Sequence, residues 1–246
     1  MDSLAALRLQ VEWGADEALG EHPRDQLGPM PRALGAEPAP GPGPAPARAP
    51  APVATVAAAT LADLHAALDA FHGCPLRATA THTVRPDGNP AAGLVLVAEA
   101  PGADDDRAGT AFAGAAGQML DRVLGSAGLD RHALLLCHIV PWRPPGGRAP
   151  TEAEVRACLP FLFQLLALVQ PTRLVLLGGG PVKVLTGSTD GIRRVRGRWI
   201  DAAWPGGGPV PALPMLAPDQ WLRSPAAKRD CWTDLLTLRQ ALGNES

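Results

Sequence analysis

Three short runs of apolar residues, each about the length of one strand, constrain the fold more than any other feature of the sequence. They cover residues 94–100 (LVLVAEA), 133–140 (ALLLCHIV) and 173–178 (RLVLLG). Each run is continuous rather than alternating, which is typical of a strand that is buried on both faces. Apolar residues at helical spacing separate the runs, so strands and helices alternate along the chain. This order predicts an α/β fold in which helices cover both faces of a parallel sheet.

Two capping signals mark where helices begin. Thr60 is followed three residues later by Asp63, and Thr151 is followed three residues later by Glu154. In such a pair each side chain accepts a hydrogen bond from a backbone amide that the first helical turn leaves unpaired. A fourth strand is expected around residues 210–216, and a closing helix over residues 228–242.

Proline divides the chain into parts. Residues 36–55 (AEPAPGPGPAPARAPAPVAT) contain seven prolines, which supply no backbone donor and favour an extended chain. Before them, Leu4, Leu7 and Val11 lie at helical spacing. We therefore predict an N-terminal helical segment over residues 1–35, a disordered Pro/Ala-rich linker over residues 36–58 and a folded domain over residues 59–246.

Composition excludes several classes of protein. The net charge of −2 argues against a chain coated in basic residues, and four cysteines in 246 residues do not make a disulfide framework. No apolar stretch reaches the length of a membrane span, and no secretory signal is visible, so we expect a cytoplasmic protein without a membrane partner. Residues 191–229 contain seven basic and two acidic residues. Such a cluster either neutralises phosphates or forms an ordinary solvated surface.

Chemically useful residues follow the first two apolar runs, at the sheet edge where parallel α/β folds bind ligands. The first loop carries Glu99, three aspartates at 104–106 and Phe112, a rare aromatic among small residues. The second carries Arg143 and Arg148 around a Pro-Pro-Gly-Gly turn, and arginine binds phosphate through charge-assisted hydrogen bonds. From composition alone, each loop is equally consistent with a structural connection.

Five ordered motifs give these loops a common interpretation. They are Ala98-Glu99-Ala100-Pro101-Gly102 followed by Asp105 and Asp106; Gly109-Thr110-Ala111-Phe112-Ala113-Gly114 followed by Gly117, Leu120 and Asp121; Arg143-Pro144-Pro145-Gly146-Gly147-Arg148-Ala149-Pro150-Thr151; Arg196-Gly197-Arg198-Trp199; and Leu222-Arg223-Ser224-Pro225 followed by Lys228-Arg229 and Trp232 to Leu235. In their order and spacing they resemble the family-4 branch of the uracil-DNA glycosylase superfamily. The resemblance covers about residues 74–242.

The resemblance implies a fold, a reaction and a set of site residues. The fold would be a three-layer α/β/α sandwich around a four-stranded parallel sheet. The reaction would be hydrolysis of the N-glycosidic bond of uracil or another deaminated base that has been extruded from DNA. Glu99 would position water and contact the base, and Phe112 would stack on the base. The backbone of Ala98, Ala100, Pro101 and Gly102 would surround the base, and the residues expected to contact DNA are Arg143, Arg148, Arg196, Trp221, Leu222 and Arg223.

Two departures from the family pattern leave the activity open. His138 stands where the family has an asparagine that reads the base edge, and Ala217 stands where the family has a histidine that stabilises the leaving base. One interpretation is an active glycosylase in which Glu99 and His138 are catalytic. The other is a degenerate glycosylase fold that binds DNA or a repair protein, the latter through the N-terminal helix. A small-molecule enzyme with a phosphate site at residues 178–180 is disfavoured, because the Gly-Lys-Ser/Thr ending is missing.

A third departure concerns metal. The family usually holds a four-iron–four-sulfur cluster on four cysteines, and Cys74 and Cys158 match two of these positions. Phe71 and Trp142 stand at the other two, and neither can replace a thiolate ligand. We therefore predict no metal and no cofactor, with Cys74 and Cys158 packing as small buried residues.

Overall fold

The structure is a computed structural model that describes residues 56–243. The predicted N-terminal helical segment and residues 36–55 of the predicted linker lie outside these residues. Residues 56–58 are described, and they pack on the domain: Ala58 is buried, and its carbonyl oxygen accepts a hydrogen bond of 2.6 Å from the Gln164 side chain. The division of the chain into segment, linker and domain therefore stays a prediction.

Six strands and eight α-helices form within the described residues. The strands are β1 (Asp87–Gly88), β2 (Leu94–Ala98), β3 (Leu135–His138), β4 (Arg173–Leu177), β5 (Ile200–Trp204) and β6 (Gly207–Met215). The helices are α1 (Leu61–Ala70), α2 (Ala103–Ala108), α3 (Ala115–Ser126), α4 (Glu152–Val169), α5 (Gly179–Thr186), α6 (Ile192–Val195), α7 (Pro218–Arg223) and α8 (Pro225–Gly243).

The strands form one sheet in the order β1-β3-β2-β4-β6-β5. The inner four, β3, β2, β4 and β6, run parallel, while β1 and β5 pair antiparallel at the two edges. The expectation of a four-stranded parallel sheet is thus wrong, because the sheet is mixed and has six strands. The strand expected around residues 210–216 is present as β6. The sequence hides β1, which has only two residues, and β5, which joins β6 by a turn at Gly206 (φ 83°) within a Gly/Pro-rich stretch.

Two hydrophobic cores lie on opposite faces of the sheet and make the molecule a three-layer sandwich. Successive residues of a strand point to opposite faces, so Val95 and Val97 enter one core while Leu94 and Leu96 enter the other. Helices α1, α4 and α5 cover the first core, and α3, α7 and α8 cover the second. Each fully buried aliphatic side chain contributes about 1.5–3 kcal/mol, which explains why the inner strands carry almost no polar residue.

Both predicted capping pairs are present. Thr60 accepts from the Asp63 amide, and the Asp63 carboxylate accepts from the Thr60 amide. Thr151 and Glu154 form the same arrangement at the start of α4. The Glu154 carboxylate also accepts two hydrogen bonds from the Arg148 guanidinium, at 2.6 and 2.8 Å. These bonds, together with those of the cap, lower the pKa of Glu154 to about 2.

A buried ion pair joins the α6–β5 connection to α8. Arg196 donates to the Asp234 carboxylate at 2.7 and 3.0 Å, and Asp234 is 1% exposed. Gly197 (φ 72°) lies so close to that carboxylate that a Cβ there would be 2.5 Å from one oxygen. Burial raises the pKa of Asp234 to about 6, against the opposing pull of Arg196. The structure therefore gives Arg196 a structural partner, and its contact with DNA stays a prediction.

No helix within residues 56–243 combines the length and the apolar character that crossing a membrane requires.

The Arg196–Asp234 pair predicts a large difference between two arginines of the same region. Replacing Arg196 with Met leaves the Asp234 carboxyl buried without its partner, which should lower the free energy of unfolding by about 3 kcal/mol. Within the described part of the chain, the Arg194 side chain pairs with the exposed Asp190 alone, at 3.8 Å, so Arg194→Met should lower the free energy of unfolding by less than about 0.5 kcal/mol. Urea denaturation of the two variants measures both values, and equal losses would contradict this assignment.

Candidate active site

A pocket of about 450 Å³ opens where the four parallel strands end. Its walls are the loops that follow β2, β3, β4 and β6, together with Phe112 from the segment between α2 and α3. The carboxyl ends of adjacent parallel strands meet at one sheet edge, so loops that are far apart in sequence converge there. The structure thereby brings Glu99, Phe112, His138 and Ala217 around one cavity.

Glu99 lies in the loop after β2, directly beside the first turn of α5. A Cβ at Gly180 would overlap the Glu99 carboxyl group, so only glycine leaves room for it. The carboxylate is partly buried, and burial raises the pKa of Glu99 above its ordinary value. No side chain among residues 56–243 makes a hydrogen bond to it. A half-buried carboxylate of raised pKa is a stronger base than an exposed one, which suits it to accept a proton from water.

Phe112 and His138 share one wall of the pocket. Their ring centroids lie 5.1 Å apart, with an angle of 17° between the ring planes. At this distance the stack is offset, so the imidazole covers only part of the phenyl face. The His138 side chain is 4% exposed, and burial lowers its pKa to about 4. Its Nε2 atom lies 3.7 Å from the Asp105 carboxylate, which pulls the pKa the other way. His138 is therefore neutral at pH 7.

Asp105 ties the Glu99 loop to the Phe112 segment. Its carboxylate accepts from the Gly102 amide at 3.0 Å and from the Ala113 amide at 2.7 Å. Phe112 itself adopts a left-handed backbone conformation (φ 57°), which is uncommon for a bulky residue. The sequence identified Asp105 as one of several carboxylates, but it gave no signal that this particular one would hold two loops together.

The two arginines of the loop after β3 have different surroundings. Both Arg143 and Arg148 line the pocket. Arg148 is held by Glu154, whereas Arg143 is partly buried and makes no ion pair with any residue in the range 56–243. Gly146 and Gly147 turn the loop with positive φ angles of 68° and 72°. Arg143 is consequently the better placed of the two to meet a phosphate group.

The loop after β6 departs most from expectation. Ala217 lines the pocket and presents a methyl group where the family has a histidine. Trp221 is fully buried in the second core, because α7 turns this face toward α3 and α8. Trp221 is therefore not on the surface, and its contact with DNA stays a prediction. Leu222 is 44% exposed, and Arg223 is a surface residue 3.7 Å from Asp219.

The four positions that would hold an iron–sulfur cluster lie in the first core. Phe71 stacks on Trp142 with ring centroids 6.2 Å apart, and it meets Phe161 edge-on at 4.9 Å. The Trp142 indole is 1% exposed and donates to the Thr83 hydroxyl at 3.1 Å. Cys74 and Cys158 contact each other, and burial raises the pKa of the Cys158 thiol. Two thiols and two aromatic rings do not fit a four-iron cluster, which needs four thiolate ligands.

No group of three or more His, Cys, Asp or Glu side chains within residues 56–243 is arranged to hold a metal ion. The remaining cysteines, Cys137 and Cys231, are each buried in one of the two cores. Gly178, the N-cap of α5 (φ 98°), borders the same pocket as Glu99, so the glycine triplet at 178–180 forms no separate phosphate site.

Comparison with known proteins gives one consistent result. A family model described as the uracil DNA glycosylase superfamily matches residues 85–236. A Type-4 uracil-DNA glycosylase from Thermotoga maritima is 36% identical over 152 residues, which are 61% of this chain and 77% of that protein. One from Archaeoglobus fulgidus is 32% identical over 177 residues, or 70% and 88% of the two chains. One from Pyrobaculum aerophilum is 39% identical over 118 residues, which span 48% of this chain and 60% of that protein.

The aromatic packing at positions 71 and 142 predicts a protein without iron. The purified full-length chain should contain no measurable iron and no visible absorbance, and a chelator should leave its thermal midpoint unchanged. Metal analysis, absorbance spectroscopy and thermal unfolding check these three points. A content of about four irons per chain would overturn the ligand argument.

The buried His138 predicts a pH-dependent contribution to stability. Its folded pKa of about 4 lies below its ordinary value of 6.5, so the unfolded chain binds more protons between those values. This contribution to the free energy of unfolding is lost as the pH falls through that window. The stability advantage of the wild type over His138→Asn should thus be smaller at about pH 5 than at about pH 7.5. Urea denaturation measures it, and the same comparison with exposed His132→Asn is the control.

Proposed function

The chain belongs to the uracil DNA glycosylase superfamily, and from this premise we propose that it is a DNA repair enzyme that hydrolyses the N-glycosidic bond of uracil or another deaminated base in DNA. One observation carries the proposal: an open cavity at the ends of the parallel strands has Phe112 on its wall and Glu99 at its edge. The cavity volume of about 450 Å³ lies within the range of small-molecule sites and leaves room for one extruded base.

The base would enter this pocket after rotating out of the DNA stack. Extrusion costs roughly a few kcal/mol in lost stacking and pairing. The base would then stack on the Phe112 ring. Base–aromatic stacking contributes roughly 1–3 kcal/mol, which offsets part of the cost of extrusion. Arg143 and Arg148, at the same opening, would contact the phosphates on either side of the extruded nucleotide, and Leu222 would fill the vacated stack. Binding should therefore weaken as salt concentration rises.

Hydrolysis would break the bond between C1′ of the sugar and the ring nitrogen of the base. The bonding electron pair leaves with the base, so negative charge grows on its carbonyl oxygens while C1′ becomes electron-poor. Water adds to C1′ and passes a proton to the Glu99 carboxylate. Protonation of the departing base and return of the proton from Glu99 to solvent complete the reaction. The raised pKa of Glu99 favours this proton transfer.

His138 would contact the base edge as a neutral imidazole. A neutral ring has one donor and one acceptor nitrogen that point in different directions, so only one of them meets a planar base edge. An asparagine amide, by comparison, donates and accepts side by side. We therefore propose that this enzyme reads a single carbonyl group and accepts hypoxanthine as well as uracil.

A second candidate function rests on Ala217. An alanine supplies no hydrogen-bond donor to the leaving base, and loss of one such donor costs about 10²–10³ in rate. The chain would then be a glycosylase fold that binds DNA without cleaving the base. Recruitment of a repair protein through the N-terminal segment, and a cytoplasmic location, remain predictions that no described residue tests.

Single-turnover cleavage distinguishes the two functions. The full chain is incubated with single- and double-stranded DNA containing uracil or hypoxanthine, and abasic sites are measured after alkaline cleavage. The enzyme function predicts product, with rates at least about 10²-fold lower for Glu99→Gln and for Phe112→Ala. Glu152→Gln is the matched control, because Glu152 is an exposed carboxylate at the start of α4 that pairs with Lys183.

The Ala217→His variant refines the same experiment. If the rest of the pocket is intact, the added donor should raise the cleavage rate by at least about tenfold. Absence of product from every substrate and variant, with salt-sensitive DNA binding retained, would favour the second function.

A further inference from the structure

The backbone of Phe112 is held in a conformation that it would not adopt by itself. A left-handed φ of 57° is disfavoured for every residue with a Cβ, and it persists only where the surrounding contacts enforce it. The direction of the Phe112 ring depends on this backbone conformation, because φ fixes the bond on which the side chain is mounted. The contacts that hold the backbone at Phe112 therefore help to orient the ring.

Arg131, in the short helical turn before β3, makes the contacts that hold it. The guanidinium donates to the carbonyl oxygen of Ala111 at 2.6 Å and to that of Phe112 at 3.2 and 3.3 Å. Two successive carbonyl groups are thus fixed by one rigid planar group. The Phe112 carbonyl also packs against Gly117 at the start of α3, where a Cβ would overlap it.

Two carboxylates fix the guanidinium in turn. Arg131 donates from Nε to Asp87 at 2.6 Å and from Nη1 to Asp121 at 3.0 Å. Asp87 belongs to the edge strand β1 and Asp121 to α3, so the arginine is anchored to the sheet and to a helix at once. Its side chain is 21% exposed and does not line the pocket. Arg131 therefore does not touch the contents of the pocket, and its contacts link it to the pocket wall through the backbone of Ala111 and Phe112.

We propose that Arg131 is a positioning residue for base capture: anchored by Asp87 and Asp121, it holds the backbone of Phe112 so that the ring faces an extruded base. The role rests on the proposed glycosylase function. Lysine cannot replace arginine here, because a single ammonium group does not span two carbonyl oxygens and two carboxylates in a fixed plane.

A double-mutant cycle tests the proposal. Arg131→Met should slow single-turnover cleavage of a uracil-containing duplex about 10- to 100-fold in the wild-type background. In the Phe112→Ala background, the same substitution should change the rate less than about twofold, because the ring on which Arg131 acts is absent. Arg131→Lys should restore only part of the rate. Equal slowing in both backgrounds, or no slowing in the wild type, would refute the positioning role.

The matched control is Arg122→Met. Arg122 is an exposed arginine of α3 whose one side-chain hydrogen bond within residues 56–243 goes to the carbonyl oxygen of Gln118, at 3.2 Å. This variant should cleave at the wild-type rate. If Arg131→Met does not fold, Asp121→Asn removes one of its two anchors and should slow cleavage in the same direction by a smaller factor.

A spectroscopic measurement tests the positioning role of Arg131 even if the protein cleaves no substrate. The chain has four phenylalanines, so fluorophenylalanine labelling gives four ¹⁹F resonances, and Phe112→Leu identifies one of them. Arg131→Met should shift the Phe112 resonance and leave those of Phe71, Phe161 and Phe163 in place. If wild-type protein cleaves no substrate, the proposed function fails, yet a selective shift still supports positioning. An unmoved Phe112 resonance, or equal shifts of all four, would overturn it.

Discussion

The candidate site depends on how the Asp105 carboxylate joins two segments that lie outside the sheet. The carboxylate accepts one hydrogen bond from a backbone amide of the Glu99 loop and another from the amide of the residue after Phe112. Neither segment belongs to a strand, so without this carboxylate both amides would need other partners at a partly dry pocket wall. An ionised carboxylate makes hydrogen bonds to amides that are roughly twice as strong as neutral ones. This connection therefore fixes the Glu99 loop relative to the Phe112 segment.

Burial shifts the pKa values of two titratable groups on the pocket wall in opposite directions. It lowers the pKa of His138 to about 4 and raises that of Glu99. Both shifts have the same cause, because removal of water disfavours the charged form of each group. The pocket wall thus carries a neutral imidazole and a carboxylate of raised pKa. Such a pair suits a reaction in which negative charge develops on a leaving group while a carboxylate accepts a proton.

Aromatic side chains occupy two of the four positions where the family holds iron. The Phe71–Trp142 stack, the edge contact with Phe161 and the hydrogen bond from Trp142 to Thr83 connect α1, α4 and the loop after β3. Large apolar rings stabilise a core through the area that they bury, and they need no partner from outside the chain. The Cys74–Cys158 contact lies in the same core. Around these four positions, the first core is therefore held by aromatic packing, the contact between the two thiols and the hydrogen bond from Trp142 to Thr83.

The sequence by itself determined the inner strands, both helix caps, the loops around the pocket and the family, because a local residue pattern or an ordered motif predicts each of them. Only the tertiary structure decided that β1 and β5 extend the sheet, and that Trp221 faces inward while Leu222 stays exposed. It also decided that Arg196 pairs with Asp234, whereas Arg143 has no ion-pair partner within residues 56–243. It alone placed Arg131 on the carbonyl of Phe112. The physical reason is that a residue's type limits the contacts that it can make, whereas the partner it meets depends on which distant segments the fold brings beside it.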